Sequence, residues 1–311
     1  MEERNIGRSG LRASVVGLGC NNIGWTIDKE ASRKVIDKAF ELGVTFFDTA
    51  HAYGTPPGNS EEVLGELLQG RRNQAIVATK FVGTPSRRDS SRRHILDAIE
   101  QGLRRLKTDW IDVYMIHWPD LSTPMEETLR ALDDIIRGGK ARYIGCCNLS
   151  PWRVVEAKWI SKVIGAHGFI AGQYEYNLLN REVEKELIPA LQEYGIGLVP
   201  YFPLASGLLT GKYLDPAATG RLKDNWLNLG DKILTDSNLA KARKLDAFAR
   251  DRGHTLLELA MSWLAQRPTV ATIIAGATRP EQLEQNIKAV GWKLTAGELA
   301  ELDTLLTEQH S

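Results

Sequence analysis

The sequence predicts an α/β fold, a single (β/α)8 TIM barrel with an N-terminal β-hairpin and a long lid loop after strand 7, as one domain over residues 1–311. Three observations predict it. Short apolar runs rich in β-branched and aromatic residues alternate with longer amphipathic stretches, which implies parallel strands joined by right-handed crossovers. Eight such units in 311 residues suit a closed barrel better than an open sheet. Gly43 in "FELGVTFF" and Gly195 in "QEYGIGLV" each fall between a helical pattern and a strand, where a left-handed residue closes a helix.

The elements follow in order. "MEERNIGRSGLRAS" has polar ends around Ser9-Gly10 and reads as a hairpin that seals one mouth of the barrel. The strands are expected at "ASVVGLG", "VTFFDTA", "AIVATKF", "IDVYMIHW", "YIGCCNL", "IAGQYEYN", "IGLVPYFPL" and "TIIAGAT". Between them, "KEASRKVIDKAFEL", "SRRHILDAIEQGLRRL", "MEETLRALDDIIRG" and "REVEKELIPALQEY" carry helical periodicity. The segment 204–235 is too long for a plain connection, and Leu208, Leu209, Tyr213 and Trp226 give it apolar surface with which to dock as a lid. Two helical patterns follow it, "SNLAKARKLDAFARDRG" and "TLLELAMSWLAQR".

Composition excludes several classes of function. Lys plus Arg and Asp plus Glu both number 39, so no net field draws the protein to nucleic acid or to an anionic membrane. The densest basic stretch, "SRRDSSRRH", reads as a solvated loop running into a helix. Cys20, Cys146 and Cys147 lack the even spacing of a disulfide framework. The first ten residues lack an apolar signal core, and no run is long enough to span a bilayer, so a cytoplasmic location is expected.

In such a barrel the chemistry collects where strands end. Asp48, Lys80 and His117 close three successive apolar strands, and Tyr53 lies five residues beyond Asp48. Strand parity sets Lys80 on the face of Ile76 and Ala78, and His117 on that of Val113 and Met115, so that all can meet in one mouth. Each residue alone is an ordinary rim residue. Together they form a set for polarising C=O: the Lys80 ammonium favours the phenolate of Tyr53 and lowers its pKa, Asp48 keeps that ammonium charged, and a neutral His117 donates to the carbonyl oxygen.

These motifs carry a resemblance. "GVTFFDTAHAYG", "ATK", "MIHW", "CCNLS", "GQYEYN", "PLASGLLTGKY" and "GATRPEQLEQN", in this order along nearly the whole chain, resemble the aldo-keto reductase superfamily. The resemblance implies a barrel that binds NADPH, less often NADH, and transfers a hydride between cofactor and aldehyde or ketone. It implies Asp48, Tyr53, Lys80 and His117 as the catalytic tetrad, with Tyr53 as proton donor. Asn148 and Gln173 are implied for the carboxamide and Tyr201 for stacking on the nicotinamide. Ser206, Gly207, Leu208 and Lys212 are implied along the pyrophosphate, and Gln282, Gln285 and Asn286 at the adenosine.

The residues themselves add to this. "AGATRPEQLEQN" offers Gly276, Thr278 as N-cap and Pro280 in the first turn, hence an exposed helix amino end suited to an anion, with Arg279 to meet a 2′-phosphate. "GLGCNNIG" has the wrong spacing for a Rossmann fingerprint. Three departures from the family pattern stand out: Cys147 where many relatives have serine, Phe202 at a position usually small, and no long carboxyl-terminal loop. Trp25, Trp118 and Trp226, with His51 and Phe81, are the candidates for a partly aromatic wall that would take a sugar-like or aryl carbonyl substrate. Two rival readings are a metal-dependent hydrolase, which the lack of an H-x-H or H-x-x-x-H pair disfavours, and an NADPH-binding sensor or regulatory subunit of the same fold.

Overall fold

A computed structural model describes residues 1–81, 88–224 and 228–307. After the short antiparallel pair β1 (Glu3–Asn5) and β2 (Arg12–Ser14), eight parallel strands run β3 (Val16–Gly19), β4 (Phe46–Asp48), β5 (Ile76–Phe81), β6 (Ile111–Ile116), β7 (Ala141–Cys147), β8 (Phe169–Glu175), β9 (Gly197–Tyr201) and β10 (Ile273–Gly276). Their order in the sheet is β10-β3-β4-β5-β6-β7-β8-β9. The remaining seam is bridged where Leu198 pairs with Val270, through hydrogen bonds of 2.7 and 2.8 Å to Thr269 and from Ala271. The expected α/β barrel is therefore the fold.

Side chains that alternate along the strands build two cores. Phe46, Ala78, Val113, Met115, Ala171 and Val199 point inward and fill the barrel. Their neighbours Phe47, Val77, Tyr114 and Leu198 point outward, under the helices. Those helices are α1 (Lys29–Glu41), α2 (Asn59–Leu67), α3 (Arg92–Leu106), α4 (Met125–Arg137), α5 (Pro151–Ile164) and α6 (Leu187–Tyr194), then α7 (Gly230–Ile233), α8 (Asp236–Arg250), α9 (Leu256–Ala265), α10 (Pro280–Lys288) and α11 (Ala296–Thr307). Capping explains several starts: Asp28, Ser91 and Thr235 accept backbone N–H bonds, and Thr255 with Glu258 forms a capping box.

The hairpin closes the amino-terminal mouth, as expected. Ile6 and Ala13 join the interior core, and Gly7 sits at φ 57° against the carbonyls of Gly195 and Ile170, where a Cβ would collide. One helical expectation is too long. The pattern 181–194 forms a helix only from Leu187, preceded by a 3-10 turn at Glu182–Glu184. Pro189 lacks an N–H and is tolerated only in a first turn, so the helix starts just before it. The described part of the segment 204–235 docks on the barrel, as expected of a lid. Its Leu208, Leu209 and Tyr213 are buried in 3-10 turns at Ala205–Thr210 and Lys212–Leu214.

Candidate active site

Asp48, Lys80 and His117 come together at the carboxyl ends of β4, β5 and β6. The Lys80 ammonium, wholly buried, donates to both carboxylate oxygens of Asp48 and to the Thr49 carbonyl, each at 2.8 Å. It lies 4.9 Å from the centre of the Tyr53 ring. Tyr53 meets the His117 ring edge-on, with centroids 5.8 Å apart. Helix α2 fixes the turn that carries Tyr53, because the Tyr53 carbonyl accepts from Gly58 and Ser60 at 3.1 and 3.3 Å, at the helix's amino end. Gln173 on β8 donates to Asp48 at 2.8 Å, and its Oε1 is 3.7 Å from the Cys147 thiol. A polar chain therefore crosses the barrel mouth from Cys147 to Lys80.

The electrostatics separate the roles. His117 is pushed down to about 3 by burial and by the Lys80 charge, so it is neutral. Its Nδ1 is buried and has no hydrogen-bond partner among the described residues. A bare lone pair costs less there than a stranded N–H, which puts the ring proton on Nε2. For Lys80, burial disfavours the charged form, but Asp48 and Tyr53 outweigh it and raise the pKa. Tyr53 departs from expectation. Burial pushes its phenol up to about 12; Lys80 pulls it down, but by less. The expected net lowering is thus corrected: the cation moderates a rise that desolvation causes.

Sequence comparison decides the family. A model described as the aldo/keto reductase family matches residues 15–307. The chain belongs to the aldo/keto reductase family. It is 37% identical over 321 residues to L-glyceraldehyde 3-phosphate reductase of Escherichia coli strain K12, covering 97% of this chain and 92% of that one. It is also 37% identical over 301 residues to a probable voltage-gated potassium channel subunit beta of Oryza sativa subsp. japonica, covering 93% and 91%. A putative channel subunit beta of Schizosaccharomyces pombe is 36% identical over 324 residues, covering 97% and 92%.

In this aldo/keto reductase the residues expected to hold a nicotinamide dinucleotide lie along the same rim. Asn148 spans His117 and β9: its amide donates to the His117 carbonyl at 3.0 Å and accepts from the Tyr201 hydroxyl at 3.0 Å. Gln173 and Tyr201 end β8 and β9, while Ser206, Gly207, Leu208 and Lys212 follow in the lid. Leu208 is buried in the core, so only its backbone can approach a ligand. Cys147 orients Gln173 from inside the barrel rather than lining the mouth.

Two features suit this rim to a bound dinucleotide. Of the six non-glycine residues with positive φ among the described residues, four lie on this rim: Asn148, Phe202, Ala205 and Ser206. Such backbone costs about 1–3 kcal/mol per residue and collects at binding sites. The Ser206 hydroxyl is also buried without a partner among the described residues.

Gly276, Thr278, Arg279, Gln282, Gln285 and Asn286 gather at the end of β10 and along α10. Thr278 is not the N-cap. Pro280 forces the preceding residue into extended backbone, so Arg279 (φ −143°, ψ 148°) caps the helix, and Thr278 instead donates its N–H and hydroxyl to Gln282 at 2.8 and 3.0 Å. No side chain caps the helix, which leaves its amino end open.

The five candidates for the substrate wall lie in different places. Trp118 stacks on His117 with centroids 5.5 Å apart, and Trp25 is 42% exposed on the loop after β3. Phe81 is fully buried against Tyr114 on the helix side of β5, because adjacent residues on a strand face opposite ways and Lys80 takes the inner face. His51 likewise turns outward. It shares with Lys80, Phe81, Glu61, His94, Arg105 and Tyr114 a small cavity between the strands and α2 and α3. Trp226 lies outside the described residues. The sequence reading missed Arg221, a half-buried lid cation that donates to Asn22 at 2.8 Å and ties the lid to the loop after β3. Its only signal was a basic residue in an apolar lid.

Proposed function

We propose that this aldo/keto reductase is an NADPH-dependent carbonyl reductase acting reversibly on small aldehydes or ketones, with sugar-like carbonyls as the substrate class. One observation carries the reading: a fully buried ammonium sits on Asp48 and beside the ring of Tyr53, with a neutral histidine edge-on to the same phenol. NADPH supplies the hydride when bound; Asn148, Gln173 and Tyr201 hold its nicotinamide end, the lid residues its pyrophosphate, and Arg279 beside the open end of α10 its 2′-phosphate. A substrate carbonyl oxygen accepts hydrogen bonds from the Tyr53 hydroxyl and from His117 Nε2–H. Tyr53 then gives its proton to that oxygen, and Lys80 stabilises the phenolate left behind. The relative named as an L-glyceraldehyde 3-phosphate reductase supports a small, sugar-like carbonyl substrate.

The test is to titrate NADPH and NADH separately, then follow cofactor oxidation with aldoses, aryl aldehydes, dicarbonyls and glyceraldehyde 3-phosphate. Turnover that is lost in Tyr53→Phe while NADPH still binds supports the reading. The relatives named as channel subunits favour a second reading, an NADPH-binding regulatory protein with little turnover. Tight NADPH binding without oxidation by any of these compounds favours that one.

A further inference from the structure

Helix α5 is apolar on both sides. Val154, Ala157 and Ser161 pack inward, as a surface helix requires. The opposite face should be polar, yet Trp152, Trp159 and Val163 stand 60%, 49% and 81% exposed there. They are half of the six large exposed hydrophobic residues among the described residues. A fourth, Leu121 at 72%, lies on the loop that Arg153 holds to the start of the helix through the Asp120 carbonyl at 3.2 Å. The Trp159 ring is fixed, since its N–H donates to the Tyr194 hydroxyl on α6 at 3.3 Å.

We propose that this face binds a second copy of the chain, with α5 packed antiparallel against its counterpart about a two-fold axis through Trp159. Such an interface is self-complementary, each residue n positions before Trp159 facing one n positions after it. Val155 then meets Val163 of the second copy. Glu156 meets Lys162 of the second copy, and the symmetry makes this ion pair twice. Among the described residues of one chain Glu156 reaches Arg153 at 3.9 Å, and Lys162 lies 4.7 Å from the Trp159 ring. The area also suffices. The exposed parts of Trp152, Trp159, Val163 and Leu121 amount to on the order of 500 Å² per copy. Two copies therefore bury on the order of 1,000 Å², the lower bound for a specific interface before the charged rim is counted.

Sedimentation of the full chain across a wide concentration range tests this independently of any activity. The expected species has twice the 34.6 kDa chain mass. Trp159→Glu combined with Val163→Glu should weaken association at least about tenfold. Glu156→Lys and Lys162→Glu should each weaken it by about two- to tenfold, and the two together should restore it. Circular dichroism and melting confirm folding, and should the Trp159 and Val163 variant misfold, the charge reversal at partly exposed Glu156 and exposed Lys162 decides. A monomer at every concentration overturns the proposal and leaves the face to a different protein. An assembly that folded Trp159 and Val163 variants leave intact overturns it too, as does a charge reversal that fails to restore association.

Discussion

Replacing Lys80 by methionine removes three hydrogen bonds of 2.8 Å and leaves the Asp48 carboxylate, 4% exposed, with Gln173 as its remaining side-chain donor. Removing one partner of a buried ion pair costs about 3–5 kcal/mol, mostly because the other charge is stranded. At about 2.1 cal/mol/K per residue, a protein of this length has an unfolding entropy of about 0.65 kcal/mol/K, so the melting temperature should fall by about 5–8 °C. Asp48→Asn in the same chain removes the stranded charge and should recover most of that loss. Turnover behaves differently, because neither variant restores a cation beside Tyr53. Reduction should fall by about 10²–10⁴-fold in Lys80→Met and stay down in the double variant. Calorimetry and the absorbance of the reduced cofactor read the two quantities separately. A double variant as unstable as Lys80→Met, or one that regains turnover, would refute the division of labour between charge pairing and proton donation.

Tyr53→Phe should lower kcat by about 10²–10⁴-fold while NADPH binding, followed by fluorescence titration, stays unchanged. His117 yields a pH prediction whose sign follows from its lowered pKa. The unfolded chain protonates near 6.5 and the folded protein only near 3, so stability is complete above 6.5 and drains away as pH falls between them. His117→Gln should make urea unfolding less sensitive to acid by up to about 1.4 kcal/mol per pH unit over that window. Arg279→Ala should weaken NADPH binding by roughly tenfold and NADH binding little, since only the 2′-phosphate loses a partner; calorimetric titration of both cofactors checks it.

The barrel and the meeting of Asp48, Tyr53, Lys80 and His117 at one mouth were legible because both rest on local rules. Alternating apolar runs imply the strands, and a charged residue closing such a run falls on the rim whatever the distant contacts. The same parity rule that turned Lys80 inward also sends Phe81 outward, so that misplacement was avoidable from the sequence. So was the cap at Arg279, which Pro280 dictates. The tie between Arg221 and Asn22 joins residues 199 apart, and nothing local announces it. The acidity of Tyr53 was not legible either. It is a balance between the depth of the pocket and the reach of one ammonium, and a sequence gives the charge but not the depth.

That balance makes the two directions of reaction respond differently to pH. With the free protein's phenol near 12, Tyr53 stays protonated through the neutral and mildly alkaline range, the state a proton donor needs. Reduction should therefore show no alkaline loss that arises from Tyr53 below about pH 10. In the proposed mechanism alcohol oxidation uses the phenolate as base, and its fraction grows about tenfold per pH unit below the pKa. Oxidation should climb steeply from neutral to alkaline pH where reduction stays level. Initial rates in both directions, measured with saturating cofactor over the same pH series, distinguish this from a generic pH effect on stability, which would move both together. An oxidation rate that is flat with pH would mean that the base is not this buried phenol, and that Lys80 serves only to hold Asp48.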